Sequence, residues 1–178
     1  MEFSTLLEER RSIRAFAEGT TVSEDDIKKM IYAAQQAPSW KNSQTGRYYV
    51  ALTDEAIERV RKALPSFNAE RTENVAAYIV TAFKTEISGH DGNGNPTDAN
   101  GNAWGAYDLG LQNENLLLKA RELGYDTLIM GLRDVDKLVE IFEIPNDEAM
   151  MAVIALGKRK NDPEKPQRKT IDEILTII

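Results

Sequence analysis

The stretch "AWGAYDLGLQNENLLLKARELGYDTLIMGL", Ala103 to Leu132, decides how the rest of the chain must be arranged. Its first part reads as a helix of about 20 residues, with Gly124 just past the end as the C′ glycine that lets a helix stop. Trp104, Tyr107, Leu109, Leu111, Leu116, Leu117, Leu118, Ala120 and Leu123 spread over most of its circumference. A helix apolar on several sides cannot lie on a surface, so it belongs in the centre of the fold or in a subunit interface. "TLIMGL", Thr127 to Leu132, follows at once as an apolar strand.

Working towards the C-terminus, Asp134 caps a predicted helix carrying Val135, Leu138, Val139 and Phe142, and "AMMAVIALG", Ala149 to Gly157, reads as another strand. The tail "NDPEKPQRKTIDEILTII" starts as charged, Pro-containing coil and ends apolar, so residues 160–178 form an extension that needs a surface to cover it. Towards the N-terminus lie "VAAYIVTAF", Val75 to Phe83, apolar on both faces like a central strand, and a short helix capped by Asp54 and stopped at Pro65. "RYYVALT", Arg47 to Thr53, alternates as a strand with Tyr48, Val50 and Leu52 on one side. "TTVSEDDIKKMIYAAQQAP" is a helix with Ser23 and Asp26 resembling a capping box, and Ser4 and Thr5 cap a first helix that runs into the arginines after it. Helices and strands therefore alternate, which predicts one layered α/β or α+β domain over residues 1–178 with a sheet covered by helices.

The chain has 178 residues, 42% hydrophobic, with a formal net charge of -7. Its long-range field repels polyphosphate and anionic membranes, which argues against nucleic acid or membrane partners. It has no cysteine, which removes disulfides, thiolate catalysis and cysteine zinc sites. "MEFSTLLEERR" has no apolar core of signal-peptide length, and no run approaches a membrane span. The expected location is cytoplasmic.

Against that acidity, "ERRSIRAF" puts Arg10, Arg11 and Arg14 close together. Arginines in the last turn of a helix oppose its dipole. Arg10 and Arg14, at i and i+4 beside Ser12, equally suit a phosphate, which guanidinium forks bind bidentately. "QAPSWKNSQ", Gln36 to Gln44, is a second polar cluster. It reads as a surface turn, or as Ser39, Asn42 and Gln44 arrayed beside Trp40 for a flat heteroaromatic ligand.

The Gly/Asn-rich segment 85–102 predicts an irregular loop or lid, with His90 as a solvated loop residue. Asp91, Asn93 and Asn95 alternate as in an EF-hand. However, Pro96 stands where the turn needs Gly and Asn102 where a bidentate Glu belongs, so no metal site is expected. Walker and dinucleotide glycine motifs are missing, as is any Ser/His/Asp arrangement. A chain poor in catalytic side chains yet equipped for a phosphate and a flat ring lends geometry to a cofactor.

In order and spacing, "RRSIRAF", "AAQQAPSWKNSQ", "WGAYDLGLQNENLLLKARELGYDTLIMG" and "ALGKRKNDPEKPQRKTIDEI" resemble the short-chain members of the FMN-dependent nitroreductase family. The resemblance implies an α+β, three-layer fold with a central mixed β-sheet flanked by helices. It also implies an intertwined homodimer holding FMN at its interface, with residues 160–178 packing on the partner. It assigns Arg10, Arg11 and Ser12 to the ribityl phosphate and Arg14 to the pyrimidine edge of the ring. Pro38, Ser39, Asn42 and Gln44 approach from the partner subunit, Met130, Gly131 and Leu132 lie along the ring near N5, and Asn68 adds a polar contact. Arg168 with Lys169 completes the phosphate clamp, with Lys158 a further candidate. Trp40, Trp104 and Tyr107 shape the acceptor pocket or, at helical spacing, belong to the core.

The implied activity is ping-pong hydride transfer from NADH or NADPH through flavin N5 to a nitroaromatic, quinone or related small-molecule acceptor. No side chain then does the chemistry itself, and Arg14 acts as electrostatic stabiliser. A non-catalytic FMN-binding or sensing module is the alternative. Three departures stand out: Gln44 is followed by Thr45 and Gly46 rather than Pro-Trp, Asp126 replaces a small residue, and segment 85–102 has no counterpart.

Overall fold

The computed structural model describes residues 2–178. Helices α1 (Phe3–Glu9) and α2 (Glu24–Gln35) precede strand β1 (Gly46–Ala51). Helices α3 (Asp54–Arg61) and α4 (Ser66–Arg71) lead to β2 (Ala77–Lys84), α5 (Ala103–Glu122) and β3 (Asp126–Met130), and α6 (Val135–Phe142) leads to β4 (Glu148–Gly157).

The strands lie in the order β1-β2-β4-β3. Every ladder is antiparallel, which corrects the mixed sheet expected for these strands. The reason is topological. The crossover through α5 carries β3 past β2 in the same direction but leaves a one-strand gap, and β4 returns to fill it, antiparallel to both neighbours. Among the described residues, parallel pairing survives only as an isolated bridge between Ser12 and Thr127 on the outer edge of β3.

The sheet divides two apolar layers, as side-chain alternation requires. Tyr78, Val80, Val153 and Ala155 pack on one side with Val60, Leu64 and Leu138 of the α3–α4 and α6 region, together with Ile13 and Phe16. Ala77, Ile79, Ile154 and Leu156 pack on the other with Ile27, Met30 and Ala34 of α2 and Leu116, Leu117 and Ala120 of α5. Helices on both faces of one sheet make the expected three layers, and β2 is buried along nearly its whole length.

Local signals explain the element ends, with three corrections. Ser23 caps α2 by accepting from the Asp26 N–H, and Asp134 caps α6 by accepting from that of Lys137. Gly124 sits at φ +87° after α5, a conformation that a β-carbon disfavours. Thr53, not Asp54, caps α3, because its hydroxyl reaches the Ala56 N–H. Helix α1 starts after Glu2 and ends at Glu9, so Ser4 and Thr5 are inside it and the arginines lie beyond it. The helix α4 was not foreseen: Pro65 stands just before it, and its carbonyl accepts from the N–H groups of Asn68 and Ala69 to start the next helix.

Candidate functional site

The segment after α1 is extended, and that sets the placement of its arginines. The Ile13 N–H donates to the Thr127 carbonyl at 3.0 Å, holding the segment along β3. Ile13 is fully buried while Ser12 and Arg14 are exposed. An extended chain puts residues two apart on one side, so Ser12 and Arg14 share the outer surface, and the Arg14 guanidinium donates to the Ser12 carbonyl at 3.3 Å. Arg10 turns towards α5, its Nε 3.4 Å from Glu114. Arg11 goes elsewhere, lining a charged cavity of about 530 Å³ with Lys158, Arg159 and Arg121. The structure thus does not put Arg10 and Arg11 side by side, and it joins Arg11 to Lys158.

Asp126 organises that cavity. Buried at the start of β3, it accepts from the Arg159 guanidinium at 2.6 and 3.0 Å, from the Arg159 N–H at 3.0 Å and from Arg121 at 3.1 Å. This bonding holds Arg159 firmly in its cationic form, with Asp126 the main cause. The Phe16–Arg159 bridge and the bond from the Ala17 N–H to the Lys158 carbonyl tie the segment after β4 to the N-terminal segment. Asp126 is therefore the centre of an ion network, which accounts for a residue that stood out in the sequence only as a departure.

At the end of β3, Met130 is buried, while Gly131 and Leu132 just beyond it are exposed. Their turn is pinned from three sides. The Asn68 amide donates to the Leu132 carbonyl at 3.5 Å, Arg133 donates to the carbonyls of Gly131 and Met150, and the Asp134 N–H donates to Ala63 at 2.7 Å. Burial pulls the Arg133 pKa down from its usual value. Arg133 was missed in the sequence because its partners are carbonyls, which leave no side-chain signature.

The turn after α2 is strained. Lys41, Asn42 and Gln44 have φ of 46°, 56° and 51°. Pro38, Asn42 and Gln44 are exposed, and the Ser39 hydroxyl accepts from the Gln44 N–H at 3.1 Å. Trp40 lies with its ring centroid 4.8 Å from that of Trp104, which stands 5.8 Å from Tyr107. The structure thus brings the three aromatic residues together beside a cavity of about 370 Å³ lined by Asn100, Ala103, Trp104 and Tyr107. The missing Pro-Trp after Gln44 has a steric counterpart. A β-carbon on Gly46 would lie 1.9 Å from Oε1 of Gln112, which accepts from the Tyr48 hydroxyl at 3.0 Å.

Segment 85–102 is more ordered than its composition suggests. Asp91 accepts from the N–H groups of Asn93 and Asn95, and Asp98 from Asn100 N–H and the Trp104 indole. These bonds hold both carboxyl groups below the usual aspartate range. His90 is 8% exposed, not solvated, because the chain folds back over it through the His90–Pro96 bridge.

Arg168 donates to the nearby Pro166 carbonyl at 3.2 Å and, like Lys169, is exposed. Within one chain neither is drawn to the N-terminal arginines, although Lys165 pairs with Glu8 of α1. Among the described residues, no cluster of metal-ligating side chains is present and no helix is long and apolar enough to cross a membrane.

A three-layer fold with a cationic N-terminal strap along β3 and a strained polar turn after α2 defines a class, and the sequence places the chain within it. The profile of the Nitroreductase family matches residues 7–158, and the chain belongs to that family. An Archaeoglobus fulgidus protein assigned as an NADH dehydrogenase/NAD(P)H nitroreductase is 28% identical over 159 residues, covering 87% of this chain and 84% of that protein. The CLA biosynthesis enone reductase of Lactiplantibacillus plantarum is 26% identical, over 86% of this chain and 84% of the enzyme. The fold is shared with an Exiguobacterium sibiricum protein assigned as a nitroreductase and solved with FMN. The TM-score is 0.87 at 22% identity, over 100% of this chain and 98% of that one.

Proposed function

We propose that the protein is a cytoplasmic, homodimeric FMN-dependent oxidoreductase that takes electrons from NADH or NADPH and passes them to a planar acceptor such as a nitroaromatic, quinone or enone. The carrying observation is the cationic segment Arg10 to Arg14, joined by the Ser12–Thr127 bridge to the start of β3, a strand whose far end leads to an exposed Gly131. Two features fit a flavin phosphate and ring. The Arg11 Nε is buried without a partner among the described residues, a donor suited to an anion. Apart from Gly131 and its chain neighbours, no atom of the described residues lies within 4 Å of where a β-carbon on Gly131 would be, so a flat ring has open access to that backbone. FMN bound there supplies the two-electron relay between nicotinamide and acceptor.

The chain's residues supply everything else. Arg11 and Lys158, which line one cavity, hold phosphate with Ser12, joined by Arg10 on release from Glu114 and by Arg168 and Lys169 from the C-terminal part. Arg14 sets a fixed positive charge at the ring edge where negative charge develops. Met130, Gly131 and Leu132 line the ring, with Asn68 fixing the Leu132 carbonyl. Pro38, Ser39, Asn42 and Gln44 reach the partner's flavin, and Trp40, Trp104 and Tyr107 wall the acceptor. Residues 160–178 bring exposed Ile171, Ile174 and Leu175 to the partner.

Purified protein mixed with FMN is expected to turn yellow and to bleach anaerobically with NADH or NADPH. Failure to take up FMN overturns the proposal, and a yellow protein that neither nucleotide bleaches makes it a binding module. Arg10→Ala is expected to weaken FMN binding about tenfold, a lost charge-assisted contact. Arg14→Ala is expected to slow bleaching more than it weakens binding.

A further inference from the structure

We propose that Asp108 is a positioning residue that fixes Trp40 against Trp104 and so sets the wall of the aromatic acceptor cavity. This role rests on the oxidoreductase reading above. Asp108 is 3% exposed, and among the described residues it forms no ion pair. A buried carboxylate is costly unless hydrogen bonds replace water. Here one oxygen, Oδ2, accepts from the Trp40 N–H at 3.0 Å and from the Ser88 hydroxyl at 2.7 Å. Ser88, itself 1% exposed, lies 2.7 Å from the Ser43 hydroxyl. One side chain of α5 thus ties down both the turn after α2 and the beginning of segment 85–102.

Those two pieces need an external tie. Each non-glycine residue in the left-handed region costs roughly 1–2 kcal/mol, so the turn with Lys41, Asn42 and Gln44 keeps its shape only if its surroundings impose it. Segment 85–102 in turn holds Trp104 through the bond from its indole to Asp98 at 2.9 Å. The Trp40 backbone and the segment carrying Asp98 therefore both run back to Asp108. The cavity lined by Asn100, Ala103, Trp104 and Tyr107 inherits its shape from that carboxylate, which need not touch the acceptor.

Because both bonds end on a single oxygen, geometry rather than charge is what Asp108 supplies. An amide carbonyl can accept the same two bonds, so Asp108→Asn preserves the arrangement and Asp108→Ala does not. Two tryptophans at 4.8 Å give a coupled circular-dichroism signal that reports their mutual orientation, with or without flavin.

The expected results are loss of the coupled tryptophan signal in Asp108→Ala, with KM for 1,4-naphthoquinone raised about tenfold at saturating FMN and kcat changed far less, as expected for about two lost hydrogen bonds. Asp108→Asn should keep the signal and most of the affinity. Ser88→Ala, which removes one donor and spares the carboxylate, should give an intermediate shift and remains informative if Asp108→Ala does not fold. The inference is overturned if Asp108→Ala keeps both signal and KM, or if Asp108→Asn behaves like Asp108→Ala. Wild-type protein that takes up no FMN defeats the flavin reading instead, and the tryptophan signal still tests the positioning of Trp40.

Discussion

Gly105 shows how much a single missing methyl group can matter. A β-carbon there would lie 2.3 Å from the Phe83 ring, which fills the space between α5 and β2. Gly105→Ala is expected to cost about 1–3 kcal/mol by overpacking, read as a lowered urea midpoint. The N-terminal arginines teach a different lesson about what a sequence discloses. A spacing of four puts Arg10 and Arg14 on one side of a helix, and it also puts them on one side of an extended chain, since four is a multiple of two. Ser12 and Arg14 do share a surface, because an extended chain puts residues two apart on one side. Arg10 turns to Glu114 instead, and the expected helix would have put Ser12 off the face common to Arg10 and Arg14. Arg11 was not legible, because the two conformations send it to different places. Asp108 was hidden as well: its partners lie at residues 40 and 88, and no local pattern joins those to α5.

At the scale of elements, the caps of α2 and α6 were readable because they act within three residues. The cap of α3 lies one residue before the one expected, and α1 has no side-chain cap at Ser4 or Thr5. Thr53→Ala is expected to destabilise the protein by about 1 kcal/mol, seen as a lowered melting temperature, through loss of the bond to the Ala56 N–H. Long α5 was readable from its apolar spread, and its buried polar residues Asp108, Gln112 and Asn113 explain why that spread is incomplete. Segment 85–102 was readable as irregular but not as ordered. Its order depends on Asp91 and Asp98, whose pKa values are lowered by the N–H and indole bonds they accept. A carboxyl group with a depressed pKa in the folded state stabilises above its ordinary value and loses that contribution as pH falls through the folded value. Proteolytic nicking within 85–102 is therefore expected to rise as pH drops below about 4 and not between pH 6 and 8, checked by brief digestion with an acid-active protease. Equal nicking by that protease at about pH 5 and at about pH 3 would show that the two carboxyl groups do not hold the loop.

Across the whole molecule, two apolar layers on one sheet could be inferred from β2 and α5 together, while the antiparallel return of β4 into the gap between β2 and β3 could not. Strand order is a long-range choice, and hydrophobic periodicity carries no address. The C-terminal extension leaves Ile171, Ile174, Leu175 and Ile177 between 52% and 83% exposed in a single chain. Contiguous exposed aliphatic residues mark an interaction surface. If the proposed homodimer forms through this extension, removing residues 160–178 is expected to leave a monomer in light scattering and to weaken FMN retention in the same preparation. A truncated chain that stays dimeric and yellow would place the interface elsewhere.

The gap filled by β4 also governs the order in which the protein can be made. β2, buried on both faces in the finished fold, leaves the ribosome with β1 available on one edge and nothing for the other until β4 has been synthesised. At the usual pace of translation, the residues between Lys84 and Glu148 take roughly 3 to 13 s. Throughout that interval the nascent chain carries an apolar strand with an open edge, so chaperone contact during synthesis is expected to centre on β2 and to end when β4 arrives.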